Sequence, residues 1–388
     1  MTFLRTAAAG LLGLTALAAS AQQDPNAAII TTAVPFLQIE PDSRAAGMGM
    51  TGVALADNAY ALFWNPAGLG GQEGTEVSFT HAPWLPALGA DLSYEYLSGK
   101  YGLGDAGTLG AHLTYFNLGQ QIWTDEDGTE LGDFKSYELA AGLSYGKEVT
   151  DNLKLGAGGR LVVSNLTGGI EVGGAGGEAV PTSTGVTFGF DLGAIYEIPA
   201  GGETVTPTIG FNLANVGPGI SYTQQGIPSA IPTNLKFGGA VGVDLDEFSR
   251  INVALDLNKV LVNRSFDVDA NGDSTLVYDS AVKAIFTSWG TRSVDTNPDR
   301  NEVTIEEVNA LRQLTLGAGL EYWYNDLLAL RSGYFYEDPQ NGNRQFLTFG
   351  AGIRYSLAGF DMSYIYAVGE DSPVDRQLRF SLLLNVPR

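Results

Sequence analysis

From about Gly74 to its end the chain alternates apolar and polar residues with a period of two. Leu92, Tyr94 and Tyr96 oppose Asp91, Ser93 and Glu95, and Tyr137, Leu139, Ala141, Leu143 and Tyr145 oppose Ser136, Glu138, Ala140, Gly142 and Ser144. Leu347, Phe349, Ala351, Ile353 and Tyr355 likewise oppose Thr348, Gly350, Gly352 and Arg354. That period places each set on its own face of an extended strand. Such runs number 14, near residues 74-81, 91-101, 106-118, 135-147, 151-165, 184-198, 203-215, 233-244, 249-259, 313-325, 327-337, 345-356, 359-369 and 377-386. Most reach the roughly 9 to 11 residues that carry a tilted strand across an outer membrane.

The gaps between runs sort by parity. Short gaps follow the even-numbered runs, and the long segments 119-134, 166-183, 216-232 and 260-312 follow odd-numbered ones. Outer-membrane barrels have short periplasmic turns and long outer loops, so the sorting predicts an even strand count with both termini in the periplasm. A soluble β-sandwich also alternates. Loop parity and the Tyr and Phe residues recurring at strand ends favour the barrel, whose aromatic girdles they would form. The fold class expected is therefore all-β: a 14-stranded antiparallel transmembrane barrel. One departure is the end, Leu384-Asn385-Val386-Pro387-Arg388, where a terminal aromatic is usual.

The stretch Ser43 to Gly70 does not alternate; small residues lead to Phe63, Trp64 and the turn Asn65-Pro66-Ala67-Gly68. Glycines recur on the face expected to point inward, at 142, 146, 238, 242, 317, 319, 350 and 352. Glycine within a strand often marks close approach by another backbone, and Ser43 to Gly70 is the candidate occupant. Inward charges Glu95, Glu138, Asp256, Glu321, Arg354 and Arg379 would then pair with one another, with Arg44 and Asp57 of this plug, or with water. The expected organisation is a signal peptide over 1-21, an extended arm over 22-42, a hatch or plug over 43-73 and a barrel over 74-388.

Composition narrows the chemistry. Of 388 residues, 16% are charged, with 21 basic against 43 acidic and a net charge of −22. That balance argues against nucleic acid, which needs a basic surface. The absence of cysteine excludes disulfides, thiolate metal sites and cysteine nucleophiles. Met1 to Ala21, with Arg5, an apolar run from Ala7 to Ala19 and Ala19-Ser20-Ala21, has the form of a secretory signal peptide. The run is too short to span a bilayer as a helix.

No catalytic constellation emerges. The two histidines, His81 and His112, have no carboxylate cluster at metal-ligand spacing, and no Ser/His/Asp order can be assembled. Asp267, Asp269, Asn271 and Asp273 imitate the start of a calcium loop, but the twelfth position is Tyr278 where a bidentate Glu belongs. A polar turn is the better reading. Asp295 to Asn301 is a second imitation, with Arg300 where the sharp turn wants Gly. Thr304 and Glu307 read as a capped helix start. Residues 277-289 have an apolar helical face, with Phe286 and Trp289 on its flank, which would cover the barrel's own mouth or a partner.

The stretch Pro35 to Leu69 resembles the PorV family, outer-membrane components of the type IX secretion system of Bacteroidetes, which are similar to FadL-type barrels. Pro35-Phe36-Leu37, Pro41-Asp42, Arg44 to Gly49, Gly52-Val53-Ala54 and Phe63 to Ala67 carry the resemblance. It implies a FadL-like barrel in which Arg44, Gly47, Gly49, Asp57, Asn65, Pro66 and Gly68 belong to the hatch. It implies no enzyme and no cofactor. Its partners would be the secretion translocon, the C-terminal signal domains of cargo and a sortase-bearing PorU-type surface attachment complex, within outer-membrane lipid. The protein would bind cargo leaving the translocon and shuttle it to the attachment complex. Exposed loop aromatics are typical of binding surfaces, so Trp84, Trp123, Tyr222, Ile227, Phe266, Tyr278, Phe286 and Trp289 are the candidate contact residues. The alternative is a FadL-like channel for hydrophobic small molecules, against which inward faces rich in Gly, Ser, Asp and Glu count modestly.

Overall fold

The computed structural model describes residues 32–85, 91–124, 127–168, 171–173, 179–199, 204–223, 226–268, 274–295, 305–368 and 374–386. The expected signal peptide lies outside them, as do Asp269, Asn271 and Asp273 of the calcium-like loop.

Alternation becomes a closed antiparallel barrel of 14 strands. They are β1 (Thr75–Pro83), β2 (Ser93–Gly102), β3 (Thr108–Thr124), β4 (Glu130–Thr150), β5 (Leu153–Asn165), β6 (Gly185–Glu197), β7 (Val205–Val216), β8 (Asn234–Asp244), β9 (Ser249–Val260), β10 (Thr315–Tyr324), β11 (Leu328–Glu337), β12 (Gln345–Tyr355), β13 (Ala358–Ala367) and β14 (Leu378–Val386). The ring closes where β1 pairs with β14, Thr75 opposite Val386. Closure removes the open sheet edge that hydrocarbon would leave unsatisfied. No helix among the described residues is long and apolar enough to cross a membrane.

The outer face is apolar, with Leu143, Leu330 and Phe190 among many large exposed side chains. Exposed Tyr101, Tyr145, Tyr196, Tyr324 and Tyr355 lie at or near the short-turn ends of β2, β4, β6, β10 and β12. That ring of amphipathic aromatics is what a membrane interface selects.

One strand faces opposite to expectation. In β2 it is Tyr94 and Tyr96, not Glu95, that point inward, each 1% exposed. The Tyr94 hydroxyl donates to the Ile39 carbonyl at 3.2 Å, and Tyr96 stacks on Tyr60. A hydrogen-bonded hydroxyl at Tyr94 and ring stacking at Tyr96, whose own hydroxyl is buried without a partner among the described residues, seat these side chains in the lumen, while Glu95 pairs with His81 on the outside.

The N-terminal segment runs inside the ring. It is held in short turns: Pro35–Gln38, the helical turn Ser43–Ala46, the turn Ala61–Trp64 and Pro66–Leu69. Asp42 caps the second, accepting from the Ala45 amide, and its other oxygen accepts from Trp64 Nε1 at 2.6 Å. Asn65 caps the last turn and reaches the carbonyls of Val53 and Ala194. Further bonds run to strands around the ring: Ser43 N to Ser381, Gly49 N to Thr348, Gly52 N and Val53 N to Asp256, and Asn212 to the Trp64 carbonyl.

All eight inward glycines do face the lumen. Five of them (146, 238, 317, 319 and 350) lie against this segment, whereas 142, 242 and 352 lie against wall side chains. Gly110, Gly156, Gly193, Gly210 and Gly333 join the first group. Gly49 has φ +67, a left-handed conformation, and its missing Cβ would meet the Tyr334 and Ala318 backbones.

The inward charges are largely partnered. Arg44 grips Glu321 with Nε and Nη2, both at 2.8 Å, and also reaches Asp57. Arg331 joins Glu321 to Asp361, to which Arg354 also binds. Glu138 accepts from Ser164, and Arg379 donates to the Glu40 carbonyl.

Candidate partner-binding surface at the long-loop end

The long connections gather at one end of the barrel. β3 and β4 continue beyond the wall as a paired ribbon, Gln120 opposite Lys135 and Trp123 opposite Gly132. Residues 217–233 fold back on themselves through the Ile220–Ser229 bridge, pinned by Thr187 Oγ1 donating to the Pro218 carbonyl.

The longest connection, 261–314, begins with a hairpin, Arg264–Val268 paired with Ser274–Tyr278. A helix follows, α1 (Ala281–Thr287), seven residues long. The helical face expected over 277-289 is thus only partly helical, because Ser274–Tyr278 pairs as a strand before Ser280 caps the helix. Asp279 ties the junction, accepting from Asn263, Lys283 and Thr287. Thr304, the expected cap, lies outside the described residues, but the helix expected after it is corrected: Ile305–Val308 pairs with Arg292–Asp295 as a strand. A Thr-x-x-Glu pattern suits a cap only where the following residues stay helical, and Val308 is fully buried instead.

A cavity of about 670 Å³ opens between these loops and the outer rim of β6. Phe188, Phe190, Ile227, Pro228, Val277 and Val282 give it apolar walls. Beside it Phe286 is 78% exposed and Val282 63% exposed. Large apolar side chains grouped on loops make this a candidate contact surface for protein, membrane or an apolar ligand.

The candidate contact residues divide. Ile227 and Tyr278 line the cavity, and Phe286 and Trp289 lie on or just after the helix bordering it. Trp123 is exposed on the distant β3–β4 ribbon. Trp84 turns inward and packs edge-on against Phe116 at 6.0 Å. Tyr222 also packs toward the core, its hydroxyl donating to Ser164 Oγ at 3.0 Å, and burial pushes the phenol up to about 12. Phe266 and Asp267 fall in the first hairpin strand, and their side chains lie outside the described residues. Phe188 and Phe190 were not among the expected contact residues; their alternation with Gly189 marks them as outward, but not as the wall of a cavity.

No group of three or more His, Asp or Glu side chains among the described residues could hold a metal ion.

A family model described as "Type IX secretion system protein PorV" matches residues 20–267. No curated protein matches the sequence. Among solved structures, the Pseudomonas putida toluene transporter TodX superposes with a TM-score of 0.50 at 15% identity, covering 90% of this chain and 99% of that one. The Ralstonia pickettii toluene transporter TbuX gives 0.48 at 16%, covering 89% and 96%. A Pseudomonas aeruginosa FadL homologue gives 0.43 at 13%, covering 92% and 98%. These likenesses concern the fold, a FadL-like barrel.

Proposed function

The chain belongs to the PorV family of type IX secretion system proteins, and from that premise we propose that it is a non-enzymatic carrier whose long-loop end receives cargo. It is an outer-membrane protein. In this reading, cargo leaving the translocon docks its C-terminal signal domain on the apolar surface around Ile227, Val282 and Phe286. The carrier then delivers it to the sortase-bearing attachment complex on the cell surface of a Bacteroidetes-type envelope.

What supports the reading is the pairing of an N-terminal segment bonded across the lumen with an exposed apolar surface outside it. The N-terminal segment acts as a plug bonded to strands around the ring, so transport through the lumen would have to break many bonds at once. The loop cavity needs no such step.

A second reading, a channel for hydrophobic small molecules, draws support from the apolar lining of the same cavity. Affinity isolation from outer membranes, followed by identification of bound proteins, separates the two. Secreted proteins sharing a C-terminal β-domain, together with the translocon, are expected with the native chain. They should be depleted with Phe286→Asp or Ile227→Asp of equal folded yield. Recovery of lipid alone would favour the channel, and undiminished capture by both variants would remove the proposed surface.

A further inference from the structure

The N-terminal segment enters the lumen from the long-loop end. Ala33 donates its amide to the carbonyl of Ala230, 3.0 Å away in the folded-back 217–233 connection. Phe36 stacks on Phe116, near the long-loop end of β3, with ring centroids 6.4 Å apart. The segment then descends past Met48 and Val53 to the short-turn end, where Gly70 lies against the Lys147 backbone and Gly71 faces Glu148. Loop parity predicts both termini at the short-turn end. The last strand meets that expectation, with Val386 opposite Thr75, whereas Ala33 lies at the other end. Parity counts strands, and a segment that threads the ring before β1 escapes the count.

The entry point is fixed by packing. Val34 is 1% exposed and has φ +47, a left-handed conformation that a β-branched residue keeps only where its surroundings hold it. Phe36 and Leu37 are buried beside it, and Arg379 donates to the Glu40 carbonyl. Residues just before Ala33 are therefore delivered to one place, the rim of the apolar loop cavity. Ala230 and Ile231 belong to its lining, together with Ile227, Val277 and Val282.

The chain ahead of Ala33 suits that place. Ala27, Ala28, Ile29 and Ile30 form an apolar run between Asp24, Pro25 and Asn26 on one side and Thr31 and Thr32 on the other. At about 3.5 Å per residue, Ile30 lies within about 11 Å of Ala33 and Ile29 within about 14 Å. Two isoleucines tethered so close to an apolar cavity gain by entering it, since docking takes both surfaces out of water. Asp24 and Asn26, farther along the tether, stay in solvent.

We propose that residues 27–30 are the resident occupant of the apolar loop cavity, with Ile29 and Ile30 against Ile227 and Val277, and that a partner docking there must displace them. The docking stands apart from the carrier reading; only the competition with cargo rests on it.

The chain has no cysteine, so introduced pairs report proximity without background. In outer membranes carrying the full chain, Ile29→Cys paired with Ile227→Cys or with Val277→Cys should form a disulfide in most molecules on mild oxidation. Paired with Leu131→Cys, exposed on the β3–β4 ribbon, it should not. Asn26→Cys should react with a membrane-impermeant maleimide on intact cells, as Leu131→Cys does. Glu247→Cys, in the short turn after β8, should react only once the outer membrane is opened. If Val277→Cys fails to fold, as judged by heat-modifiable gel mobility, Ile227→Cys carries the comparison. Protection of Asn26→Cys until the membrane is opened overturns the proposal, as does no more disulfide with the cavity residues than with Leu131→Cys. Ile29→Asp combined with Ile30→Asp should raise recovery of secreted proteins at least threefold in the affinity isolation. Unchanged recovery overturns the competition, whereas no recovery with either chain overturns the carrier reading and leaves the disulfides to decide the docking.

Discussion

Replacing Glu321 by Gln should release the plug without opening the barrel. The carboxylate is fully buried and accepts four bonds: two from Arg44 at 2.8 Å, one from Arg331 at 2.7 Å and one from Asn252 at 2.9 Å. Glutamine keeps the shape but removes the charge, leaving two guanidinium groups short of a counter-ion. Breaking a buried ion pair from one side costs about 3–5 kcal/mol. Each arginine retains a second carboxylate, Asp57 for Arg44 and Asp361 for Arg331. Asp57 is 60% exposed, so its attraction is worth about 1 kcal/mol or less. The low end of the range is therefore expected, about 3 kcal/mol, which raises the opened population of the plug roughly 100-fold. Hydrogen exchange at the amides of 43–57, in detergent, reads that population directly. Global melting is the wrong probe, because ring closure rests on backbone bonds that the substitution does not touch. Adding Arg44→Met to Glu321→Gln should restore part of the protection, since the uncompensated charge disappears with its owner. Exchange within threefold of the native rate in the single variant would refute the argument.

A wall substitution tests the plug from the other side: Gly333→Val would drive its Cβ into the backbones of Met48 and Gly49, whereas Gly132→Val on the β3–β4 ribbon meets nothing. The first should cost more than the about 1–3 kcal/mol of ordinary overpacking and expose the plug to protease, and the second should leave digestion unchanged. The loop end should loosen in acid through Asp338. Partial burial pushes that carboxyl up, but the bonds from Arg312, at 2.8 and 3.0 Å, outweigh it and hold the group below its ordinary 3.8. Its contribution is present above that ordinary value and lost as pH falls through the lowered one, so exchange at 309–314 should rise below about pH 4 in the native chain. Asp338→Asn should show the faster exchange already at pH 7 and lose the acid dependence.

The barrel was legible because two independent signals agree. A period of two fixes which residues share a face, and loop parity fixes how the strands connect; neither depends on knowing what fills the lumen. The misread strand, β2, shows the limit. In Asp91 to Tyr96 the larger, less polar side chains point inward, since Tyr94, Tyr96 and His112 form a layer against Tyr60 and Phe116 of the interior. Polarity identifies the inward face only where the lumen holds water or charge. Where it holds an aromatic layer, tyrosine satisfies both requirements and the alternation loses its sign. Gly110, Gly156, Gly193, Gly210 and Gly333 were readable by the same alternation, each lying in register with the inward set of its strand.

The loop end was less legible for a different reason. Val277 to Trp289 has helical spacing, yet its first residues pair as a strand because Arg264–Val268 lies beside them. That pairing is non-local, and spacing alone cannot weigh it. The cavity there is assembled from segments far apart in sequence, β6, 217–233 and 261–284. Only the closed ring brings them together. The same holds for a polar cavity lined by Lys259 at the end of β9, Arg292 in the 261–314 connection and Arg344 just before β12, which no motif spans. The hatch motif, by contrast, is contiguous: Asp42, Arg44, Trp64 and Asn65 make bonds within the N-terminal segment itself, to Trp64, Asp57, Asp42 and Val53 respectively. Contiguity made the family recognisable at the plug. The contact surface proposed above draws instead on side chains that the sequence does not set near each other.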